Sequence, residues 1–130
     1  MKKILLLLMT IACIGLTAGC APSREQIQNA YYGPYPTDCE QLVREEVSRQ
    51  LYDPYSAQFV FLNAPQMGFI ITPLMKTEYG WRGEFTLNAK NLYGGYIGAK
   101  TLIYLIRDGK VISIMQIVNN SWGTKSLEPW

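Results

Sequence analysis

The segment from Asn88 to Gly98 holds the densest set of side chains able to bind a ligand. Its sequence is Asn-Ala-Lys-Asn-Leu-Tyr-Gly-Gly-Tyr-Ile-Gly. Glycines permit left-handed backbone or a close approach, and asparagines bond locally to the chain. Aromatic rings offer flat apolar platforms, whereas amides and an amine offer polar contacts to a sugar, a peptide or a protein. The candidate binding residues are Trp81, Asn88, Lys90, Asn91, Tyr93 and Tyr96.

The same segment has two other interpretations. It can be a structured connection between two strands, with its aromatic side chains capping the core. It also resembles a glycine-rich phosphate loop, but only loosely. A phosphate-binding loop normally lies directly before the N-terminus of a helix. This segment instead precedes a predicted strand, so nucleotide binding is not expected.

The chain offers few residues suited to acid–base catalysis or to metal binding. The chain has no histidine, which removes the usual proton shuttle and the commonest metal ligand. Glu45 and Glu46 are adjacent on a predicted helix and project in different directions, and Asp53 precedes a proline, where a turn role is typical. We therefore expect no enzymatic activity, no metal and no cofactor. Cys39 is interpreted as a buried small hydrophobe, as a partner in an intermolecular disulfide or as a catalytic thiolate.

The N-terminus has the order of an export signal. Met1-Lys2-Lys3 is followed by an apolar run of thirteen residues, 4–16, and then by small residues before Cys20. Thirteen helical residues span roughly 20 Å, short of the roughly 30 Å of a bilayer core. We therefore expect residues 1–19 to be a signal peptide that is removed. An ordinary secretory signal that happens to contain a cysteine is the alternative.

The residues around the expected cleavage point give a more specific indication. Leu16-Thr17-Ala18-Gly19-Cys20 resembles the lipobox of bacterial lipoproteins, although Thr17 stands where leucine is commoner. The resemblance implies cleavage before Cys20 and acylation of its thiol. Ala21, rather than aspartate, implies sorting to the outer membrane of a two-membrane host. The expected location is the cell envelope, lipid-anchored and facing the periplasm.

Charge and length describe the chain that remains after cleavage. Loss of Lys2 and Lys3 leaves ten basic against ten acidic residues, so the mature chain is formally neutral. A neutral chain with no basic run lacks the electrostatic footprint of a nucleic-acid binder. Its remaining length suits one small domain.

The N-terminal part of the mature chain combines a tether with a helix. Residues 20–36 contain three prolines and a glycine, which is typical of a linker. Three tyrosines near its end predict that this part lies against the domain, which spans residues 37–130. The four-residue spacing of Cys39, Val43, Val47 and Leu51 predicts an amphipathic helix over 38–52. Thr37 and Glu40 match a capping box.

Beyond the helix the apolar period changes to two. Alternation predicts strands over 57–62 and 79–88, and Pro73 within 69–74 indicates an edge strand. Asp108-Gly109 predicts a hairpin of 101–107 with 110–118. The predicted cross-strand pairs are Leu105–Ile112, Ile103–Ile114, Ile106–Val111 and Leu102–Met115. Both hairpin faces are apolar, so the helix is expected to cover one face and the tether, the tail or a partner the other.

The predicted fold is therefore α+β, with one N-terminal amphipathic helix packed on an antiparallel sheet of four or five strands. The tail from 119 to 130 carries Trp122 and Trp130. It can fold back on the domain or extend as an interaction strand, and the sequence does not choose between the two.

Two short sequence motifs, here called phrases, one over 51–59 and one over 88–98, together give a second resemblance to known proteins. Asp53-Pro54-Tyr55-Ser56-Ala57-Gln58-Phe59 and the Asn88–Gly98 segment are similar to the D-P-x-S-A-x-F and N-A-K-N-x-x-G-G-Y-x-G phrases of small bacterial exported proteins and lipoproteins. That group has no established activity, so the resemblance implies an envelope domain and assigns no catalytic residue. We expect a non-enzymatic binding or assembly component with an envelope protein partner. The alternative is a peptidoglycan- or glycan-binding module that uses the aromatic loop.

Overall fold

The computed structural model describes residues 21–119 and 125–129. The predicted signal peptide, Cys20 and both tail tryptophans lie outside the described residues. The helices are α1 (Arg24–Gln28) and α2 (Cys39–Ser48), and a 3₁₀ turn covers Pro54–Ser56. The strands are β1 (Gln58–Phe61), β2 (Gln66–Ile71), β3 (Thr77–Asn88), β4 (Lys100–Arg107), β5 (Lys110–Asn119) and β6 (Lys125–Pro129).

These six strands form one antiparallel sheet that is five positions wide. The order is β1-β3-β4-β5-β6, and β2 also pairs with β3. β1 pairs with residues 85–88 of β3 and β2 pairs with residues 77–82, so the two strands follow each other along the same edge. An antiparallel sheet with few helices confirms the predicted α+β class. The edge position predicted for the strand over 69–74 is confirmed, but β2 ends at Ile71 and Pro73 lies in the turn that follows it.

The central strand β4 is buried on both faces. Leu102 through Ile106 are each at most 1% exposed, and successive side chains of a strand point to opposite faces. One face forms a cluster of Val43, Val47, Phe85, Leu87, Leu102, Tyr104 and Ile106. The other forms a cluster of Ile70, Ile103, Leu105 and Met115. Each fully buried aliphatic side chain stabilises the fold by roughly 1.5–3 kcal/mol.

Different elements cover these two faces. Helix α2 covers the first, through the fully buried Val43 and Val47. On the second, Leu127 of β6 and residues 67–71 of β2 line one cavity of about 460 Å³. Because three strands separate β2 from β6 in the sheet order, a shared cavity means that the sheet curls over its own second face.

The β4–β5 hairpin turns where the sequence predicts, but its register differs. Asp108 and Gly109 have φ of 53° and 70°. The predicted pair Ile106–Val111 is present, and beyond it the register shifts by one residue at a β-bulge. The other three predicted pairs are therefore wrong, and the observed partners are Leu105–Ser113, Tyr104–Ile114, Ile103–Met115 and Leu102–Gln116. The extra residue is Ile112, which lets both Val111 and Ile114 pack against the helix-side cluster.

Helix α2 is shorter than the predicted span, and the predicted capping box is wrong. The N-cap is Asp38, which makes no side-chain capping bond. Thr37 therefore lies outside the cap, and Glu40 instead pairs with Arg44 at 3.8 Å. The Arg44 guanidinium also lies 4.9 Å from the centroid of the Phe59 ring, so this side chain links the helix to β1.

Residues 31–35, here called the strap, lie against the sheet, as the tyrosines predict. The Tyr31 hydroxyl donates to Asp108 Oδ1 at 2.7 Å, a bond that raises the pKa of Tyr31. Trp81 Nε1 donates to the Gly33 carbonyl at 3.0 Å. The Tyr35 ring meets Trp81 edge-on at 4.9 Å. Gly33 has φ of 74°, and a Cβ there would crowd the Asp108 side chain.

Gly83 and Tyr104 form a buried cross-strand pair of β3 and β4. The Tyr104 side chain occupies the space beside Gly83 that a Cβ would need, and a Cβ there would overlap the hydroxyl and the ring. The absence of a side chain at Gly83 thus determines where Tyr104, the largest fully buried side chain among the described residues, lies.

We expect Gly83→Ala to destabilise the domain by about 1–3 kcal/mol, because overpacking of a filled core costs that amount. Denaturation with urea measures the loss. Gly95→Ala is the matched control, since its Cβ would find nothing closer than 3.8 Å, and a change within about 0.5 kcal/mol is expected there. Equal stability losses in the two variants would contradict the packing described.

Candidate functional site

The two phrases found in the sequence meet at one end of the sheet. Ser56 Oγ accepts a hydrogen bond from the Lys90 backbone amide at 2.8 Å and donates to the Asp53 carbonyl at 2.8 Å. The Tyr96 hydroxyl donates to the Ser56 carbonyl and accepts from Gln58 Nε2, both at 3.4 Å. Residues 53–58 and 88–98 therefore form one unit, here called the loop end, where β3 ends and β4 begins.

Two asparagines hold the longer loop in shape. Asn91 Oδ1 accepts from the backbone amides of Tyr93 at 2.9 Å and Gly95 at 3.1 Å. Asn88 Oδ1 accepts from the Gly98 amide at 3.1 Å. Gly98 has φ of 91°, a conformation that glycine adopts at no steric cost. The carbonyl oxygens of these two candidate residues are thus engaged with the loop backbone.

Lys90 and Tyr96 face each other across the neck of this loop. They form an isolated antiparallel bridge. Lys90 Nζ lies 5.5 Å from the centroid of the Tyr96 ring, which is within range of a cation–π interaction. The amine therefore helps to orient the Tyr96 ring, which is 47% exposed.

The loop end carries several exposed apolar side chains. Tyr55 is 99% exposed and Tyr93 89% exposed. Large exposed apolar groups that cluster at one place on a soluble domain mark interaction surfaces, and tyrosine is enriched among residues that dominate binding energy. The exposed side chains, here called the loop-end patch, are Tyr55, Leu92, Tyr93, Tyr96 and Ile97.

Three members of this patch, Tyr55, Leu92 and Ile97, were not predicted from the sequence. Tyr55 lies inside a 3₁₀ turn that begins at Pro54, and its side chain has nothing to pack against there. That turn was visible in the sequence as a helix stop, so an outward tyrosine could have been inferred. Leu92 and Ile97 gave no such signal, because an apolar residue in a loop packs inward as often as it faces out.

Trp81 does not belong to the loop end. It lies in the middle of β3, seven residues before Asn88, which is roughly 23 Å at about 3.3 Å per residue. Its indole bonds Gly33 and packs against Tyr35. The candidate set therefore divides into five residues at the loop end and one that holds the strap.

We also searched the part of the chain that the structure describes for a metal site and for a membrane-spanning helix. There, no group of three or more His, Cys, Asp or Glu residues is arranged to hold a metal ion. None of the helices within residues 21–119 is long and apolar enough to cross a bilayer.

We expect Ser56→Ala to loosen the loop end without unfolding the domain. The Lys90 amide would lose its acceptor, at a cost of about 1 kcal/mol. Hydrogen exchange at that amide should then be about fivefold faster. Ser48→Ala, at the end of α2, is the control and should leave Lys90 unchanged. Unaltered protection of Lys90 in Ser56→Ala would show that the two phrases are not coupled.

No protein-family model, curated protein or solved structure matches the chain. The arrangement of the described residues therefore carries the functional argument.

Proposed function

We propose that this protein is a lipid-anchored component of the bacterial cell envelope that binds a partner protein through the loop-end patch and catalyses no reaction. The observation that carries the proposal is the position of the patch. It lies at the end of the sheet opposite the point where the strap, and with it the N-terminal tether, joins the domain.

The separation of these two points follows from the strand register. The strap bonds Asp108 in the hairpin turn, and Arg107 beside that turn donates to the Tyr79 carbonyl at 3.1 Å. The turn is therefore level with Tyr79 of β3. Asn88 is nine residues further along the same strand, roughly 30 Å at about 3.3 Å per residue. A tether that enters at the turn leaves the loop end free to face away from the attachment point.

The anchor in this proposal is an acylated Cys20. Ten residues separate Cys20 from Tyr31, and α1 makes the path between them shorter than a fully extended chain. Buried acyl methylenes contribute about 0.8 kcal/mol each, so several chains hold a small domain permanently. The proposed location is the outer membrane, with the domain facing the periplasm.

The short helix α2 is, in this proposal, the amphipathic helix expected from the sequence. Val43 and Val47 are buried against the sheet, whereas the side chains of Glu40 and Arg44 are 60% and 46% exposed. A helix that covers one sheet face keeps the core closed while the loop end stays accessible.

A protein partner is better supported than a glycan. Carbohydrate recognition combines aromatic platforms with free polar groups, and the oxygens of Asn88 and Asn91 are already bonded to the loop backbone. The large apolar side chains exposed beside them are three tyrosines and two aliphatic residues. Such a composition suits the apolar centre of a protein interface with a polar rim.

The anchor is tested by Cys20→Ser. We expect the wild-type chain to sediment with membranes and to incorporate labelled palmitate, and the variant to do neither, because no other thiol would accept lipid. Cys39→Ser is the control and should keep both properties. Palmitate labelling that survives in Cys20→Ser, or full-length precursor in the cytoplasm of wild-type cells, would remove the anchor from the proposal.

The partner is tested by photo-crosslinking in cells. A benzophenone amino acid at position 93 should capture one discrete envelope protein, whereas the same group at position 110, exposed at the opposite end of the sheet, should capture none. Tyr55→Ala should reduce capture from position 93 at least threefold, since it removes another tyrosine of the loop-end patch.

Two results would contradict the protein partner. One is equal capture from positions 93 and 110. The other is retention of the protein on purified peptidoglycan that Tyr96→Ala abolishes, which would support the glycan-binding alternative instead.

A further inference from the structure

A second group of exposed apolar side chains lies at the opposite end of the sheet from the loop-end patch. It belongs to the turn between β2 and β3, residues 72–76, here called the hairpin tip. Leu74 is 90% exposed and Met75 62% exposed, so two large apolar side chains project into solvent from one tight turn. Neither belongs to the core clusters of the described residues. Packing of the domain therefore does not account for apolar residues at these two positions.

The hairpin tip has a fixed shape. The Met75 amide donates to the Thr72 carbonyl at 2.8 Å, and the Thr72 amide donates to the Lys76 carbonyl at 2.9 Å. The Thr72 hydroxyl also accepts from the Lys76 amide at 3.3 Å. Met75 has φ of 60°, a left-handed conformation that glycine adopts more easily than methionine. The turn thus carries an exposed apolar side chain at a position where glycine would be less strained.

The hairpin tip extends beyond the turn between β4 and β5. Trp81 of β3 pairs with Ile106 of β4. From this pair, β3 continues four residues to Thr77, whereas β4 continues one residue to Arg107. The difference of three residues is roughly 10 Å at about 3.3 Å per residue. The hairpin tip therefore projects from the end of the sheet at which the strap is held.

The tether leaves the domain beside the same hairpin. The Tyr32 ring packs edge-on against Tyr79 of β3 at 6.0 Å, and the Tyr32 hydroxyl donates to the Ile27 carbonyl at 2.7 Å. Tyr79 is two residues from the start of β3. Cys20 precedes Ile27 by seven residues, a span of at most roughly 25 Å. Acyl chains on Cys20 would therefore keep the hairpin tip close to the bilayer surface.

We propose that the hairpin tip inserts Leu74 and Met75 into the lipid bilayer as a second contact beside the acyl anchor. This inference rests on the acylated Cys20 of the proposed function. Two apolar side chains alone bind a bilayer weakly, but the tether keeps their effective concentration at its surface high. Insertion at this point orients the sheet, so that the loop-end patch is directed away from the membrane.

The charges near the hairpin tip indicate that apolar insertion supplies most of the contact. Lys76 Nζ pairs with Glu78 Oε1 at 3.1 Å. In the adjacent turn, Arg107 and Lys110 stand against Asp108. Basic groups in these two segments exceed acidic ones by one, which gives little attraction to anionic headgroups. We therefore expect the contact in neutral lipid and in lipid that contains phosphatidylglycerol.

Methionine methyl groups test this contact without a probe that could itself insert. In the chain proposed after cleavage, Met67, Met75 and Met115 are the remaining three of five methionines. The lipidated chain with ¹³C-methyl methionine is placed in phosphatidylcholine nanodiscs, with or without a lipid that carries a nitroxide near its headgroup. Met67, 64% exposed, is the control for Met75, and Met115, 4% exposed, reports whether the fold is intact.

We expect the nitroxide lipid to broaden the Met75 signal strongly and the Met67 signal little. Met67 lies four residues before the end of β2, which is roughly 13 Å from the tip at about 3.3 Å per residue, and paramagnetic broadening falls steeply with distance. The Met115 signal should not broaden.

Leu74→Asp should remove the broadening of Met75, because an unpaired carboxylate is costly to bury in lipid. It should leave the Met115 signal in place, since Leu74 is almost fully exposed. Leu62→Asp is the matched control. Leu62 is 51% exposed and lies outside the hairpin tip, so this variant should keep the broadening of Met75.

Co-elution of the chain with the nanodiscs on gel filtration separates this inference from the anchor. If the chain co-elutes and the nitroxide broadens Met67 and Met75 equally, or neither, insertion is overturned and the anchor stands. Broadening of Met75 that survives in Leu74→Asp overturns it as well. If the chain elutes apart from the discs, the anchor fails and insertion fails with it. A Met75 signal that depends on protein concentration instead of lipid would show contact between copies of the chain and also overturns insertion.

Discussion

Burial of β4 on both faces is the constraint on which the rest of this structure depends. Five consecutive residues of the strand lie out of water, so each face must be covered, and a domain of this size has few elements available. Helix α2 covers one face and the curl of the sheet covers the other. The bulge at Ile112 serves both faces, because it turns Val111 and Ile114 toward the helix and leaves Ile112 with the second cluster.

The two ends of the sheet differ in structure: one holds the strap, and the other carries the exposed loops. At the hairpin turn, the strap is held by a tyrosine, an indole and the left-handed Gly33. At the other end, backbone amides donate hydrogen bonds to Ser56 and the asparagines and so fix the loops, whose large apolar side chains are exposed. Polar residues that build the loop thereby present the apolar residues that we propose bind a partner.

The sequence predicted those features that local chemistry determines. Asp108-Gly109 defined the hairpin because both residues tolerate positive φ. Pro73 indicated an edge strand because proline cannot donate to a neighbour; the strand is at the edge, although Pro73 itself lies in the turn after it. The register beyond the turn was not predictable, because both faces of the hairpin are apolar and a shift by one residue still buries apolar side chains. Thr37 matched a capping box only on the assumption that the helix begins at that residue.

The candidate site was likewise predictable only where the types of neighbouring residues determine the local structure. The loop stood out by its glycines and asparagines, and the structure shows that these residues shape the loop. Trp81 was wrongly assigned to it, although the predicted strand over 79–88 already placed Trp81 seven positions before Asn88. The Gly83–Tyr104 pair arises from a contact across two strands, which no local pattern records.

The central claim is that the anchored end and the binding end of the domain point in opposite directions. Energy transfer in liposomes tests it most directly, with a fluorescent amino acid at position 93 or 110 of the lipidated chain and an acceptor dye on the lipid. We expect markedly more efficient transfer from position 110, beside the hairpin turn. Equal transfer from the two positions, or more from position 93, would contradict this account.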